Sequence, residues 1–182
     1  MPSLAADQAK AQALARFEDP GPDHINCGQA VLCFALLRLG EDPGLIINAR
    51  YLGGGIAGMG EVCGVLNGAA LALGARDLVL IRRGVKEPPS AADPLKGILR
   101  DFAKEFGSCR CRDLTGYDLS YPEGLEAFKK SEIRSRCADY VRWACDRGST
   151  NIRWRLASLE TDRSGDEVVA LGADDFHLDE HP

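Results

Sequence analysis

The sequence has few histidines, no excess of positive charge and neither of two common cysteine motifs, and each absence removes a class of function. Its 182 residues include three histidines, and 22 Lys and Arg against 27 Asp and Glu give a net charge of −5. A nucleic-acid-binding surface is therefore not expected. Because C-x-x-C is absent, thioredoxin-like chemistry is disfavoured, and because C-x-x-C-H is absent, covalent c-type haem is excluded.

Long hydrophobic runs are also missing. No apolar run reaches the roughly 18 residues that a membrane-spanning helix needs, so we expect no membrane span. Residues 1–17 alternate apolar and polar side chains at helical spacing and lack the basic start and apolar block of a secretory signal. We therefore expect a cytoplasmic protein.

Cysteine is what the sequence does have, with seven copies. In a reducing compartment these are not expected to form structural disulfides, and an odd number does not pair completely. A free cysteine often packs as a small apolar side chain, and we interpret Cys33 in this way. Several of the others lie at positions that suit a thiolate better than a buried methyl group.

Apolar residues recur at helical spacing over most of the chain, which predicts an all-α domain at residues 1–148. The predicted helices cover residues 4–17, 27–39, 43–51, 61–73, 95–106 and 121–146. Residues 75–84 fit either a helix or a short strand. Residues 149–182 form a separate acidic appendage in this interpretation, and residues 152–156 and 167–171 alternate as the strands of a β-hairpin do.

A glycine-rich loop leads into the helix predicted at residues 61–73. Gly60, Gly64, Gly68 and Ala72 recur every four residues, although each glycine inside a helix costs roughly 1 kcal/mol against alanine. This stripe predicts a close contact with a second helix, that at residues 27–39. The loop at residues 53–58 also matches G-x-G-x-x-G, but the βαβ unit of a nucleotide-binding site is not predicted, so we interpret it as a turn.

Two cysteines fall where a helix begins. Cys27 and Cys63 each lie in the first turn of a predicted helix, where unpaired N–H groups and the helix dipole lower a thiol pKa. His24 precedes Cys27 by three residues, and we interpret it as a surface loop residue.

The other candidate thiols lie later in the chain. Cys109 and Cys111 form a C-x-C pair that alternates with two arginines, which also favours thiolates. Cys137 and Cys145 lie eight residues apart on one predicted helix, too far for both to reach one small site. These spacings match neither the ferredoxin runs nor a C-x₂-C zinc ribbon.

Taken in order, four segments of the chain resemble a redox-active protein family that is named for its cysteine pattern, C_GCAxxG_C_C. The segments are NCGQAV at residues 26–31, CGVLNG at residues 63–68, GSCRCRDL at residues 107–114, and Cys137 on the last predicted helix. The resemblance covers residues 10–145. Val65 departs from it by replacing the alanine of the motif, and Cys109 departs from it by adding a thiol.

The resemblance implies a helical domain with four shared cysteines, which are Cys27, Cys63, Cys111 and Cys137. A similar domain occurs in split-Soret cytochromes, where it accompanies haem and an iron–sulfur centre. We therefore expect electron transfer or redox sensing through a metal centre, an iron–sulfur cluster held by these four residues, with Cys109 as the substitute ligand. A redox partner protein of unknown identity and a homo-oligomer are further expectations.

Two other functions remain open from the sequence. In the first, the protein is a metal-free thiol–disulfide switch, in which Cys27 or Cys63 is the attacking thiol. In the second, it is a zinc-stabilised or simply packed helical interaction module with no redox activity.

Overall fold

The computed structural model describes residues 2–150, and over this range the fold is all-α, as predicted. A 3₁₀-helix at Pro43–Ala49 separates the second and third of seven α-helices. The α-helices are α1 (Ala6–Glu18), α2 (Cys27–Leu39), α3 (Gly64–Arg82), α4 (Ala92–Phe106), α5 (Cys111–Thr115), α6 (Pro122–Lys130) and α7 (Ile133–Thr150). The hairpin predicted at residues 152–171 lies outside the described residues, and the domain boundary at residue 148 stays a prediction.

Helix α2 is the centre of the domain and packs against α1, α3, α7 and the 3₁₀-helix. Its predicted bounds are confirmed, because both ends carry strong local signals. Asn26 and Gln29 form a reciprocal capping box, and Gly40 ends the helix in the left-handed conformation at φ 71°. Most of the helix is buried, which agrees with its apolar sequence.

The glycine stripe brings α3 against α2, as predicted. A methyl group on Gly68 would lie 2.6 Å from the Gly28 carbonyl oxygen, and one on Gly28 would lie 3.0 Å from the Gly64 carbonyl oxygen. Only glycine therefore fits at this crossing. Gly60 is not part of the stripe, because it lies in the loop before α3 at φ 77°.

The predicted bounds of α3 are wrong at both ends. The helix begins after Cys63 rather than at residue 61, and it continues through Gly74 and into the undecided segment 75–84 as far as Arg82. No atom lies within 4 Å of a methyl group placed on Gly74, so nothing forces the chain to turn there. Packing beyond Gly74, including buried Val79, outweighs the weak helix propensity of one glycine.

Helix α3 bears on the expectation of no membrane span, although Arg76 and Asp77 interrupt its apolar sequence. By length and composition alone it could cross a membrane, with a mean hydropathy of 1.5 over an 18-residue window. However, 44% of that window is buried within the protein, and α3 packs against α2, α4 and α7. These contacts are those of a core helix.

The single long helix predicted at residues 121–146 is two helices. The break is at Ser131, whose backbone is extended (φ −88°, ψ 154°) and whose hydroxyl donates to the Phe128 carbonyl oxygen at 2.7 Å. Gly148 does not end α7, which continues to Thr150. The predictions for α1 and α4 hold to within three residues, and Gly107 ends α4 as expected.

An aromatic cluster joins α4 to α7. Phe106 lies 4.7 Å from Tyr140 and 5.8 Å from Trp143, centroid to centroid, and both contacts are edge-to-face. Phe102 makes edge contacts to the same two rings. Each such pair stabilises the fold by about 1 kcal/mol beyond the burial of apolar surface, so these contacts hold α7 in position against α4.

Candidate functional site

The four cysteines that the resemblance singled out lie around one cavity. The cavity has a volume of about 370 Å³, and Cys27, Cys63, Cys111 and Cys137 all line it. They come from the start of α2, the residue before α3, the start of α5 and the first half of α7. Four distant chain segments therefore deliver one thiol each to the same space.

Cys27 is positioned by the end of α2 and by the close approach of α3. It is the first residue of α2, directly after the Asn26 cap, so its backbone direction is fixed by the capping box. A methyl group on Gly64 would lie 2.5 Å from the Cys27 sulfur. The glycine stripe thus makes room for this thiol as well as for the α2 backbone.

Cys63 and Cys111 are brought together by a short antiparallel pairing of residues 60–63 with residues 109–112. The Cys63 amide donates to the Cys109 carbonyl oxygen at 2.8 Å, and the Cys111 amide donates to the Glu61 carbonyl oxygen at 2.7 Å. The bridge at Val62 and Arg110 lies between these bonds. This pairing explains why one half of the C-x-C motif reaches the cavity.

The glycine-rich loop forms one wall of the cavity in an unusual conformation. Five consecutive residues, 54–58, have positive φ, and two of them are not glycine: Ile56 at 62° and Ala57 at 52°. Left-handed backbone costs an L-residue roughly 1–2 kcal/mol. The loop is closed by hydrogen bonds from the Gly60 amide to the Gly54 carbonyl and from the Glu61 amide to the Gly55 carbonyl, both 3.0 Å.

This loop is a turn, as the sequence interpretation held. A 3₁₀-helix precedes it, whereas a dinucleotide-binding loop requires a strand there. Its glycines allow close contact: a methyl group on Gly55 would lie 2.7 Å from the Cys111 Cβ atom. The loop therefore packs directly on the cavity cysteines.

The remaining three cysteines lie elsewhere. Cys109, the predicted substitute ligand, is not among the residues that line the cavity, and its thiol donates to the Leu99 carbonyl oxygen at 3.4 Å. Cys33 is fully buried in the core, as predicted, and so is Cys145 on α7. Cys137 reaches the cavity and Cys145 does not, which agrees with their predicted separation along one helix.

The prediction that these thiols are thiolates is wrong for the metal-free protein, because burial raises their pKa values more than the nearby N–H groups lower them. Burial raises the pKa of the Cys27 thiol, although backbone N–H groups of Gly28, Gly54, Cys27 itself and Gly64 oppose the shift. Burial also raises the pKa of Cys63 well above its usual value, and the Cys27 charge adds to this. The position of Cys63 just before α3 does not outweigh these effects.

The arginines of the C-x-C segment do not produce thiolates either. Burial, followed by the charge of Cys27, raises the pKa of Cys111 to about 11. Arg110 lies 3.4 Å from Glu61 and Arg112 lies 3.2 Å from Asp118, so both guanidinium groups face carboxylates. Burial raises the pKa of Cys137 to about 12.

Electrostatically the four cavity thiols act as one group. Cys63 interacts with the other three, Cys111 and Cys137 each interact with Cys27, and Cys137 interacts with Cys111. Every pair of the four is therefore coupled. No three Cys, His, Asp or Glu side chains in residues 2–150 converge as ligands of a single metal ion. The thiols surround a space instead of meeting at a point.

Most of the remaining cavity wall is apolar, with a few polar groups. The apolar side includes Phe17, Leu119, Leu125 and Phe128. The polar side chains that residues 2–150 contribute are His24, Asn26, Thr115, Arg134 and Tyr140, and no Asp or Glu of this range lines the cavity. His24 is exposed, as predicted for a surface loop, but it lies at the cavity rim.

Sequence reasoning missed Arg134 and Tyr140 as cavity residues. Both lie on α7 near Cys137, three residues before it and three after it, so they share its helix face. That spacing is the signal that could have found them.

A family model described as "Putative redox-active protein (C_GCAxxG_C_C)" matches residues 25–149. The chain belongs to the C_GCAxxG_C_C family. The match includes all four cavity cysteines and agrees with the resemblance read from the motifs. Searches of curated proteins and of solved structures found no match. Membership in the C_GCAxxG_C_C family supports a redox-active protein and leaves the kind of redox centre open.

Proposed function

We propose that this protein carries electrons or senses redox state through an iron–sulfur cluster held by Cys27, Cys63, Cys111 and Cys137. The observation that supports this most strongly is that four separate chain segments each place one cysteine on the same cavity. Cysteines that served only as packing residues would have no reason to gather in this way. The redox-active family to which the chain belongs points in the same direction.

The residues present fit such a cluster. Four cysteine thiolates are the usual ligands of iron–sulfur clusters, and metal binding deprotonates thiols whose pKa is otherwise high. The cavity of about 370 Å³ has room for a group larger than one ion. When bound, the cluster would supply a one-electron couple in a cavity with a mostly apolar wall.

The chain itself contributes the surroundings of that couple. The N–H groups of Gly28, Gly54 and Gly64 oppose the rise in the Cys27 pKa, so they favour a negatively charged sulfur there. Arg134 has the same effect on Cys137. The Phe17, Leu119 and Phe128 side chains make part of the cavity wall apolar.

The test is metal and sulfide analysis of the anaerobically purified full chain, together with its visible absorption spectrum. The proposal expects iron and acid-labile sulfide in stoichiometric amounts and a broad charge-transfer absorption in the visible range. A protein that contains zinc alone, or neither iron nor sulfide, contradicts it.

Single Cys→Ser variants then identify the ligands. Cys27→Ser, Cys63→Ser, Cys111→Ser and Cys137→Ser should each lose most of the iron. Cys109→Ser is the matched control, since Cys109 lies two residues before Cys111 in the same motif but does not line the cavity. Equal iron loss in the control would show that the cavity does not define the ligand set.

A metal-free thiol–disulfide couple is the second candidate, and one contact favours it. The Cys27 sulfur lies against Gly64, the residue that follows Cys63. In this function the two thiols lose two protons and two electrons to a disulfide or peroxide oxidant, and one Cys27–Cys63 bond forms. Mass mapping of the non-reduced protein would detect that crosslink, and its absence under oxidising conditions would remove this candidate.

A further inference from the structure

Tyr140 has a hydroxyl group with no hydrogen-bond partner among residues 2–150, although the residue is only 4% exposed and lines the cavity. The hydroxyl oxygen is not fully buried, because Arg38 Nε is the fully buried side-chain polar atom without a partner in residues 2–150. The hydroxyl oxygen therefore keeps accessible surface where the residue lines the cavity. The group is therefore available to whatever occupies the cavity.

The ring of Tyr140 is fixed in place by its neighbours. Phe102 and Phe106 contact it edge-to-face, with ring centroids at 5.6 Å and 4.7 Å. Tyr140 follows Cys137 by three residues on α7, so the two side chains share one face of the helix. A rigid ring in this position directs its hydroxyl to the same space each time.

The electrostatics of Tyr140 agree with this placement. Burial is the main cause that raises the pKa of the Tyr140 phenol. Arg136 lowers this pKa, and the charges of Cys137 and Cys63 raise it further. Two of the four cavity sulfurs thus lie within electrostatic range of the hydroxyl. The high pKa keeps the phenol protonated and able to donate.

We propose that Tyr140 donates a hydrogen bond to a sulfur of the redox centre, on the side of Cys63 and Cys137, and so raises its reduction potential. This inference rests on the proposed function, because it requires a redox couple in the cavity. Tyr140 is a positioning and tuning residue in this proposal and not a ligand.

The direction of the effect follows from charge. Reduction makes the sulfurs of a cluster more negative, and a hydrogen-bond donor stabilises the more negative state. In the metal-free protein the reduced thiols are protonated, because burial raises the pKa of Cys111 to about 11 and that of Cys137 to about 12, so this argument applies to a metal centre. Removal of the hydroxyl should therefore lower the potential of the metal centre.

The experiment compares the wild-type full chain with Tyr140→Phe, and uses Tyr117→Phe as the matched control. Tyr117 is half-buried and also contacts an aromatic ring, Phe128, at 6.1 Å, but it does not line the cavity. We expect Tyr140→Phe to shift the oxidised-to-reduced equilibrium of the metal centre about tenfold towards the oxidised state, which is about 59 mV for a one-electron couple. Tyr117→Phe should leave the potential unchanged.

Anaerobic titration is followed by absorption and by thiol labelling, so that a metal centre and a disulfide are both detected. The free energy of unfolding of Tyr140→Phe should equal that of the wild type or exceed it, because no internal hydrogen bond is lost. An unchanged potential in Tyr140→Phe, or an equal shift in Tyr117→Phe, overturns this inference while the proposed function stands. A wild-type protein with no metal redox couple overturns this inference and the proposed iron–sulfur function together, and a reversible disulfide found by thiol labelling then supports the second candidate function.

Discussion

A methyl group added to Gly64 would lie 2.5 Å from the sulfur of Cys27. This distance is much shorter than a van der Waals contact, so the side chain of Cys27 fits here only because residue 64 has no side chain. The contact links the helix crossing to the candidate redox site. Packing of α2 on α3 and placement of the first thiol are therefore one structural requirement.

Gly64→Ala should destabilise the protein and disturb Cys27. Overpacking of this kind costs about 1–3 kcal/mol, and the Leu52 carbonyl oxygen, 2.7 Å from the same position, leaves the methyl group nowhere to move. Urea unfolding followed by circular dichroism measures the loss. Iron content should fall in the same variant, because one proposed ligand is displaced.

Gly74→Ala is the control on the same helix. No atom lies within 4 Å of the added methyl group, so only helix propensity changes, and the substitution should stabilise the protein by about 1 kcal/mol. If the two alanine variants have equal stability, the crossing is looser than the structure shows.

The two glycines also show how far the sequence could predict this fold. Spacing of four predicted the α2–α3 contact, and Asn26 and Gly40 predicted the ends of α2, because these signals are local. Gly74 looks like a helix end by the same local rule, yet α3 continues, since tertiary packing outweighs one glycine. The break at Ser131 has no comparable local signal: the residues on both sides favour helix.

The sequence identified the four cysteines that line the candidate site, but it did not predict their protonation state. The motif order identified the four cysteines that line the cavity, because motifs record which residues act together. The pKa shifts could not be predicted, since burial of Cys63 and Cys111 depends on the whole fold. Arginines beside Cys111 in sequence face Glu61 and Asp118 in space.

Ile56→Gly should stabilise the metal-free protein. Ile56 has φ 62°, and left-handed backbone costs a β-branched residue roughly 1–2 kcal/mol, of which the greater entropy of glycine in the unfolded chain cancels a part. A net gain of about 1 kcal/mol in urea unfolding is expected. Ile47→Gly, at an exposed position outside the left-handed run, should lose stability instead. A loss in both variants would mean that the Ile56 side chain contributes more than its backbone strain costs.

The metal-free protein should lose stability as the pH rises above about 9. Burial raises the pKa of Cys145 from 9.0 to about 12. Below pH 9 the thiol is protonated in both states and stability is constant. Between about pH 9 and pH 12 the unfolded chain releases the proton and the folded chain retains it, so the free energy of unfolding falls by up to ~1.4 kcal/mol per pH unit.

Cys145→Ala removes this titration and should make the decline with pH less steep, measured by urea unfolding under reducing conditions. Val141→Ala, a buried substitution one helical turn earlier on α7, should lower stability by the same amount at every pH. A parallel decline in Cys145→Ala and wild type would show that Cys145 does not retain its proton.

The Asn26 side chain makes hydrogen bonds to Gln29, Ala49 and Arg50. Its replacement should therefore destabilise the protein more than loss of a helix cap alone. Its side-chain oxygen accepts from the Gln29 amide at 3.0 Å, and its nitrogen donates to the carbonyl oxygens of Ala49 at 3.2 Å and Arg50 at 2.8 Å. A lost cap costs about 1 kcal/mol, and two more lost hydrogen bonds bring the expected loss for Asn26→Ala to roughly 2–3 kcal/mol.

Asn26→Asp separates the two roles, because a carboxylate keeps the acceptor for the Gln29 amide and loses both donors. Its unfolding free energy should lie between those of wild type and Asn26→Ala. Asn48→Ala, at an exposed position of the 3₁₀-helix, should change little. If Asn26→Asp equals the wild type, the bonds to Ala49 and Arg50 contribute nothing. If it equals Asn26→Ala, those two bonds and not the cap fix where α2 begins, and with it where Cys27 enters the cavity.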